Sequence, residues 1–248
     1  MISAPAEHPH RFHVARPTGL RRARPSHRLA YIIWLLPRRL EALAGLLDVG
    51  PGGRVLDYGC AEQPYRRFFG ERVEFIGADL PGNPAADILI GTDGTLPLAD
   101  DSVDAVLSTQ VLEHVAEPAT YLDECLRVLR PGGRLLLSTH GLMVYHPDPV
   151  DYWRWTAAGL ERALSAAGFT VIHREGLMGL GAVGLQFVQD AIYHRVHPRL
   201  RPAVAMLFQS LIAIGERLAP ADGSGADALV QAVVAEKPAT NGHRDRLG

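Results

Sequence analysis

The sequence predicts an α/β fold, a Rossmann-like doubly wound sheet of seven strands with an N-terminal capping helix and a helical insertion before the last strand. Two features predict it. From Arg54 onward, short β-rich runs alternate with helical patterns, as a parallel sheet wound with helices on both faces requires. One of these runs, Arg54-Val55-Leu56-Asp57, ends in a carboxylate and the tight turn Tyr58-Gly59-Cys60. Ligands of open α/β sheets lie across the carboxyl ends of the strands, so the second feature also says where a site belongs.

At 248 residues the chain can bury a sizeable core, and a single domain is expected over residues 29–238. A net charge of −2 gives no whole-chain attraction for nucleic acid, which is not expected as a partner. Cys60 and Cys125 are too few for a disulfide framework or a cysteine-rich zinc site, and a reducing cytoplasm is the expected compartment. Residues 1–28 mix Pro, His and Arg with almost no acid and read as a disordered basic arm without the features of a secretory signal; residues 239–248 read as a polar tail. The apolar run from Leu29 to Leu36, closed by Arg38 and Arg39, falls short of the roughly 20 residues that span a bilayer. It reads as a capping helix packed on the domain, with weak membrane-surface contact as the second option and no transmembrane segment.

Strands are expected near Arg54–Asp57, Val73–Ala78, Asp87–Ile90, Val103–Ser108 and Arg134–Ser138. A helix from Ala119 to about Arg130 follows Pro118, whose missing N–H would be unpaired in a first turn anyway, and Pro131-Gly132-Gly133 stops it. Thr156 is placed as the N-cap of a helix to Ala167, with Gly168 as its left-handed terminator and a strand from Phe169 to about Arg174. The alternation then breaks. Leu177 to Gly184 is rich in glycine, two apolar helices follow near Leu185–Val196 and Ala203–Leu218, and Leu229–Ala235 reads as the last strand. In the later helix Val204, Leu207, Phe208, Leu211 and Ile212 form a stripe to bury, with Gln209 off it. The insertion, residues 177–228, is expected to cover an acceptor pocket, to make a homodimer contact, or to dock a lipid-linked acceptor.

The strand ends nominate Asp57 with Gly59, then Asp79, Asp93-Gly94 and Gln110. Asp79 lies about 20 residues after the glycine turn, the spacing of an acid that binds ribose hydroxyls, including those of dinucleotides. Two features separate the cases. A carboxylate at Asp57 would oppose a pyrophosphate but complement an ammonium or sulfonium. The run Cys60-Ala61-Glu62-Gln63-Pro64 also lacks both later glycines of G-x-G-x-x-G. A nicotinamide-dependent dehydrogenase is thereby disfavoured against an enzyme using S-adenosylmethionine.

The ordered series Val55-Leu56-Asp57-Tyr58-Gly59-Cys60, Asp79, Leu96-Pro97-Leu98-Ala99-Asp100-Asp101-Ser102-Val103-Asp104, Val111-Leu112-Glu113-His114-Val115 and Leu129-Arg130-Pro131-Gly132-Gly133 resembles the successive motifs of class I S-adenosylmethionine-dependent methyltransferases, of the methyltransferase type 11 kind. The resemblance covers roughly Arg54 to Arg174 and the terminal strand. It implies that Asp57, Gly59 and Ala61, with Cys60 beside them, line the methionine part of the cofactor. It further implies that Asp79, followed by Leu80, holds the ribose, that Asp93 and Gly94 flank the adenine, and that Gln110 is nearest the methyl group. The family commonly has a glycine where this chain has Ala61, and a positive φ there would cost about 1 kcal/mol or more.

Methyl transfer to an oxygen needs a base for the departing proton, and His140 and His146 are the candidates. His114, Tyr145, Trp153 and Arg154 are the candidate acceptor contacts, through stacking and charge pairing. The cluster of His140, His146, Asp148 and Asp151 matches no metal-ligand template, and no metal is expected. Asp151-Tyr152-Trp153-Arg154-Trp155-Thr156 resembles segments of methyltransferases that modify cell-surface glycans and small metabolites. The expected acceptor is therefore a small molecule or glycan, methylated at oxygen, the alternative being a methyltransferase-like binding or assembly subunit without catalysis.

Overall fold

The computed structural model describes residues 24–147, 150–221 and 225–239. The expected basic arm up to residue 23, Asp148 and most of the tail lie outside the described residues.

Seven strands form one sheet in the order β3-β2-β1-β4-β5-β7-β6. They are β1 (Arg54–Tyr58), β2 (Glu74–Asp79), β3 (Ile88–Leu89), β4 (Val103–Thr109), β5 (Leu129–His140), β6 (Thr170–Leu177) and β7 (Val230–Glu236). The first five strands pair in parallel, while β7 runs antiparallel between β5 and β6. The helices are α1 (Ala30–Ala44), α2 (Pro118–Val128), α3 (Ala157–Ala167), α4 (Leu180–Tyr193) and α5 (Arg201–Leu218).

Successive strand residues point to opposite faces, and both faces are apolar because both are covered. Val55, Ala105, Leu107 and Leu136 pack with Leu36 and Leu40 of α1, whereas Leu56, Val106, Leu135 and Leu137 pack with Leu122 and Cys125 of α2. The winding is sparser than the sequence suggests. Among the described residues no α-helix joins β1, β2, β3 and β4 in turn; a 3-10 turn at Arg66–Phe68 and the paired rings of Tyr65–Phe68 and Phe69–Phe75 cover that part of the sheet.

Local chemistry sets several boundaries as expected. Thr156 accepts a hydrogen bond from the Gly159 amide and opens α3, and Gly168, at φ +102°, closes it. Other expectations are corrected. Helix α1 continues through Arg38 and Arg39 to Ala44, because Leu40 and Leu43 extend its buried stripe and Arg39 pairs with Glu175 at 2.5 Å. Strand β5 begins at Leu129, before Pro131-Gly132-Gly133, which forms a register shift in the strand. Strand β6 runs on to Leu177 and α4 starts at Leu180, so Gly181 and Gly184 lie inside a helix. Each helical glycine costs about 1 kcal/mol, offset by burial of Ala182 and Val183. In α5 the buried face is Ala205, Gln209 and Ile212, while Leu207 and Leu211, read from sequence as core, are exposed.

Candidate active site

Strands β1, β2 and β4 end beside one another, and the segments that follow them wall a cavity of about 1060 Å³. Gly59, Cys60, Ala61, Asp79, Leu80, Asp93, Gly94 and Gln110 line it, together with His114, His140 and His146.

The loop after β1 is shaped by backbone constraints. Gly59 has φ +88°, and a Cβ there would stand 2.5 Å from Val111 Cγ2, so the turn excludes any side chain. Ala61 has φ +47°, the left-handed conformation in which an L-residue loses about 1–2 kcal/mol. Asp79 fastens this loop: its carboxylate accepts from the Ala61 amide at 3.0 Å, the Leu80 amide at 2.8 Å and Asn83 Nδ2 at 2.6 Å. It also stands on the cavity wall at the end of β2, the place where an acid of a nucleotide-binding sheet meets ribose hydroxyls. Replacing Ala61 with glycine relieves the backbone strain but adds freedom to the unfolded chain, so a net gain of about 0.5–1 kcal/mol is expected in urea denaturation.

Asp57 is 1% exposed, and neither carboxylate oxygen has a hydrogen-bond partner among the described residues. Burial, and then the negative Asp79, push its carboxyl up to about 8. It is not itself exposed on the cavity wall; strand pleating puts it inside, directly beneath the turn that is.

At the far side of the loop, Tyr58 Oη donates to the Gly94 carbonyl while its ring stacks on Tyr121 at 4.2 Å. Tyr121 Oη in turn donates to Ser108 Oγ at 2.9 Å. Asp93 accepts from Thr95 N and Oγ1, which holds its carboxyl below the usual range and builds the turn that presents Gly94. Gln110 also has a positive φ, +56°, and is fixed by its amide to the Ser138 carbonyl at 2.8 Å. Left-handed non-glycine residues at Ala61 and Gln110 thus concentrate backbone strain on the cavity wall, as at many functional sites.

Beyond Gln110 the imidazoles of His114, His140 and His146 form a triangle with centroid separations of 5.7–6.3 Å. Against them lies Glu113, which sequence reasoning missed. Its side chain is fully buried; Oε2 accepts from Thr139 Oγ1 at 2.9 Å, and Oε1, without a hydrogen-bond partner among the described residues, is 3.3 Å from His140 Nε2 and 3.9 Å from His114 Nε2. Burial raises the Glu113 carboxyl to about 7. Burial, followed by the positive Arg154, lowers His140 to about 3. The sequence signal for Glu113 was its place beside His114 in the run Val111–Val115, which follows a nominated strand end.

The other acceptor candidates stand elsewhere. Tyr145 is 73% exposed, Trp153 donates its indole N–H to the Val115 carbonyl at 2.7 Å, and neither they nor Arg154 line the cavity. Arg154 instead staples its own loop, donating to the Met143 and Val144 carbonyls at 2.8 Å and pairing with Asp151. Burial opposes ionisation of Asp151, but Arg154 and the His146 amide outweigh it and bring its carboxyl down to about 2. Among the described residues no group of three or more His, Cys, Asp or Glu side chains is arranged to hold a metal ion.

The cavity is closed on another side by Leu29, Ile32, Ile33 and Leu36 of the N-terminal segment. None of the described residues of the 177–228 insertion lines it. The insertion braces α1 instead: Gln186, Gln189 and Gln209 all donate to the Arg28 carbonyl, and Gln209 accepts from the Tyr31 amide at 2.8 Å.

A parallel sheet with one antiparallel strand inserted beside its edge, and a glycine turn and an acid at adjacent strand ends, make up the class I methyltransferase fold. Residues 47–137 match the family model described as a methyltransferase domain. A curated relative from Mycolicibacterium smegmatis, named a probable S-adenosylmethionine-dependent methyltransferase, is 40% identical over 111 residues, which cover 40% of this chain and 43% of the relative. The match thus spans less than half the length of this relative. A solved S-adenosylmethionine-dependent methyltransferase from Mesorhizobium loti shares the fold with a TM-score of 0.52 at 19% identity, over 79% of this chain and 95% of that one. Haemonchus contortus phosphoethanolamine N-methyltransferase 2, solved with phosphomonomethylethanolamine and S-adenosylhomocysteine, shares it with a TM-score of 0.54 at 16% identity, over 83% and 53%. The chain carries, over residues 47–137, a domain that matches the methyltransferase family model, on a fold shared with S-adenosylmethionine-dependent methyltransferases. Its residues fit the family's cofactor: the orphaned Asp57 carboxyl suits a cationic amino-acid moiety, and the side-chain-free Gly59 turn leaves room for close approach.

Proposed function

We propose that the protein transfers a methyl group from S-adenosylmethionine to an oxygen of a small-molecule or saccharide acceptor. The observation that carries the choice of oxygen is the buried Glu113 carboxyl against three imidazoles on the cavity wall. A hydroxyl nucleophile must lose a proton, and this group of side chains can take it.

Gly59, Ala61, Asp79 and Gly94 would hold the cofactor, with Asp57 acting from beneath the turn. When bound, S-adenosylmethionine supplies a methyl carbon activated by a positive sulfur. The remaining work falls to the chain. His140 is neutral at physiological pH because burial disfavours its charged form, so it can accept a proton. Ionised Glu113, 3.3 Å from His140 Nε2, stabilises the imidazolium that results. His146, half-buried on the same wall, provides the next imidazole towards the outside. Ile32, Ile33 and Leu36 give the acceptor an apolar wall that orients it and displaces water.

Incubation with methyl-labelled S-adenosylmethionine and a panel of glycosides, phenols and amines tests the reading. Label in base-stable ether products is the expected result. Label confined to amines, or no transfer to any member while the cofactor binds, would contradict it, the latter in favour of a binding subunit.

A further inference from the structure

The hairpin of α4 and α5 packs on α1 through Gln186, Gln209 and Ile212, but its outer face is apolar and uncovered by any described residue. On α5, Leu207, Leu211, Ile214 and Leu218 recur at steps of four, three and four, so they share one face, and they are 40–82% exposed. Leu180 and Val188 of α4 are exposed as well. A continuous apolar stripe of this kind on a monomer marks an interaction surface.

Charge decides which partner fits. The turn between the helices, His194-Arg195-Val196-His197-Pro198-Arg199-Leu200-Arg201, contains no acid. Both acids of the hairpin are engaged inward: Asp190 pairs with Arg28 at 2.9 Å, and Glu216 accepts from the amides of Gly179 at 2.9 Å and Ala221 at 3.2 Å. An apolar helical face with arginines at its rim matches a bilayer interface carrying anionic headgroups. A second copy of the chain is the poorer match, since its own hairpin offers these arginines no unengaged acid.

We propose that the α4–α5 hairpin docks the protein on an anionic lipid surface, with the leucine stripe at the acyl boundary and the arginines at the phosphates. No helix among the described residues is long and apolar enough to cross a membrane, so the contact is in the plane of the interface.

Flotation with phosphatidylcholine vesicles containing about one-third phosphatidylglycerol tests this. The full chain is expected to float with them, to float poorly with pure phosphatidylcholine, and to be released when sodium chloride rises from about 0.1 to about 0.5 M. The pair Leu207→Asp and Leu211→Asp should raise the lipid concentration for half-binding by roughly a hundredfold. Arg195→Gln with Arg199→Gln should raise it about tenfold. Both variants should retain affinity for S-adenosylhomocysteine, which separates loss of docking from loss of folding. Protein that stays out of the lipid fraction overturns the proposal, as does vesicle binding unaffected by the leucine changes. So does a stable dimer, seen by light scattering, that those changes dissociate.

Discussion

Glutamine in place of Glu113 is expected to slow methyl transfer by about 100-fold to 1,000-fold while S-adenosylhomocysteine binds as before. Glu113 acts through the imidazoles, so it is a positioning residue, and the loss should fall on kcat with KM for the acceptor little changed. The pH profile is the sharper test. With its carboxyl raised to about 7, Glu113 is increasingly ionised as pH rises through neutrality, and the rate should rise along the same limb. In the glutamine variant that limb should vanish.

Stability carries the opposite sign. Between about 4.5 and about 7 the unfolded chain has lost this proton and the folded chain keeps it, so the stability present below the unfolded value is lost as pH rises through the folded one. Glutamine removes the penalty, and the variant should be at least as stable as the parent at pH 8. A variant that is slow because it is unfolded would show the reverse.

The Asp57→Asn substitution is expected to separate binding from folding, with a larger effect on stability than the change at Glu113. Folded Asp57 holds its proton to about 8 against an ordinary 3.8, through burial first and Asp79 second. Over that window the unfolded chain is ionised and the folded chain is not, so stability again falls as pH rises. The asparagine amide cannot ionise, and the substitution should stabilise the cofactor-free protein by about 1–3 kcal/mol at pH 7. It should also weaken S-adenosylhomocysteine binding by about 10-fold to 100-fold, because the amide cannot answer the ammonium of the ligand. Unchanged affinity would remove Asp57 from the site.

Much of this site was legible because strand ends are legible. Asp79, Asp93-Gly94 and Gln110 follow runs whose β character is plain in the sequence, and all line the cavity. Helix α3 could be read to the residue, since Thr156 and Gly168 are local signals that need no tertiary partner. Where the reading failed, a tertiary contact overrode a local pattern. The glycines at 179, 181 and 184 suggested a loop, but burial of Ala182 and Val183 sustains α4. The leucines of α5 suggested a core stripe, whereas Gln209 occupies the buried face because the Arg28 carbonyl and the Tyr31 amide need its two ends. Arg154 looked available to an acceptor, yet Asp151, three residues before it, and two nearby carbonyls already engage it. Glu113 was invisible for the converse reason: its meaning lies in Thr139 and His140, more than twenty residues away.

Calorimetric titration of the folded protein with S-adenosylhomocysteine at pH 7, in two buffers of different ionisation enthalpy, tests the cofactor site most directly. One ligand per chain is expected to bind with release of a proton, as Asp57 ionises against the incoming ammonium, and the release should be absent in the Asp57→Asn variant. A well-folded protein that gives no binding heat in either buffer would contradict the account.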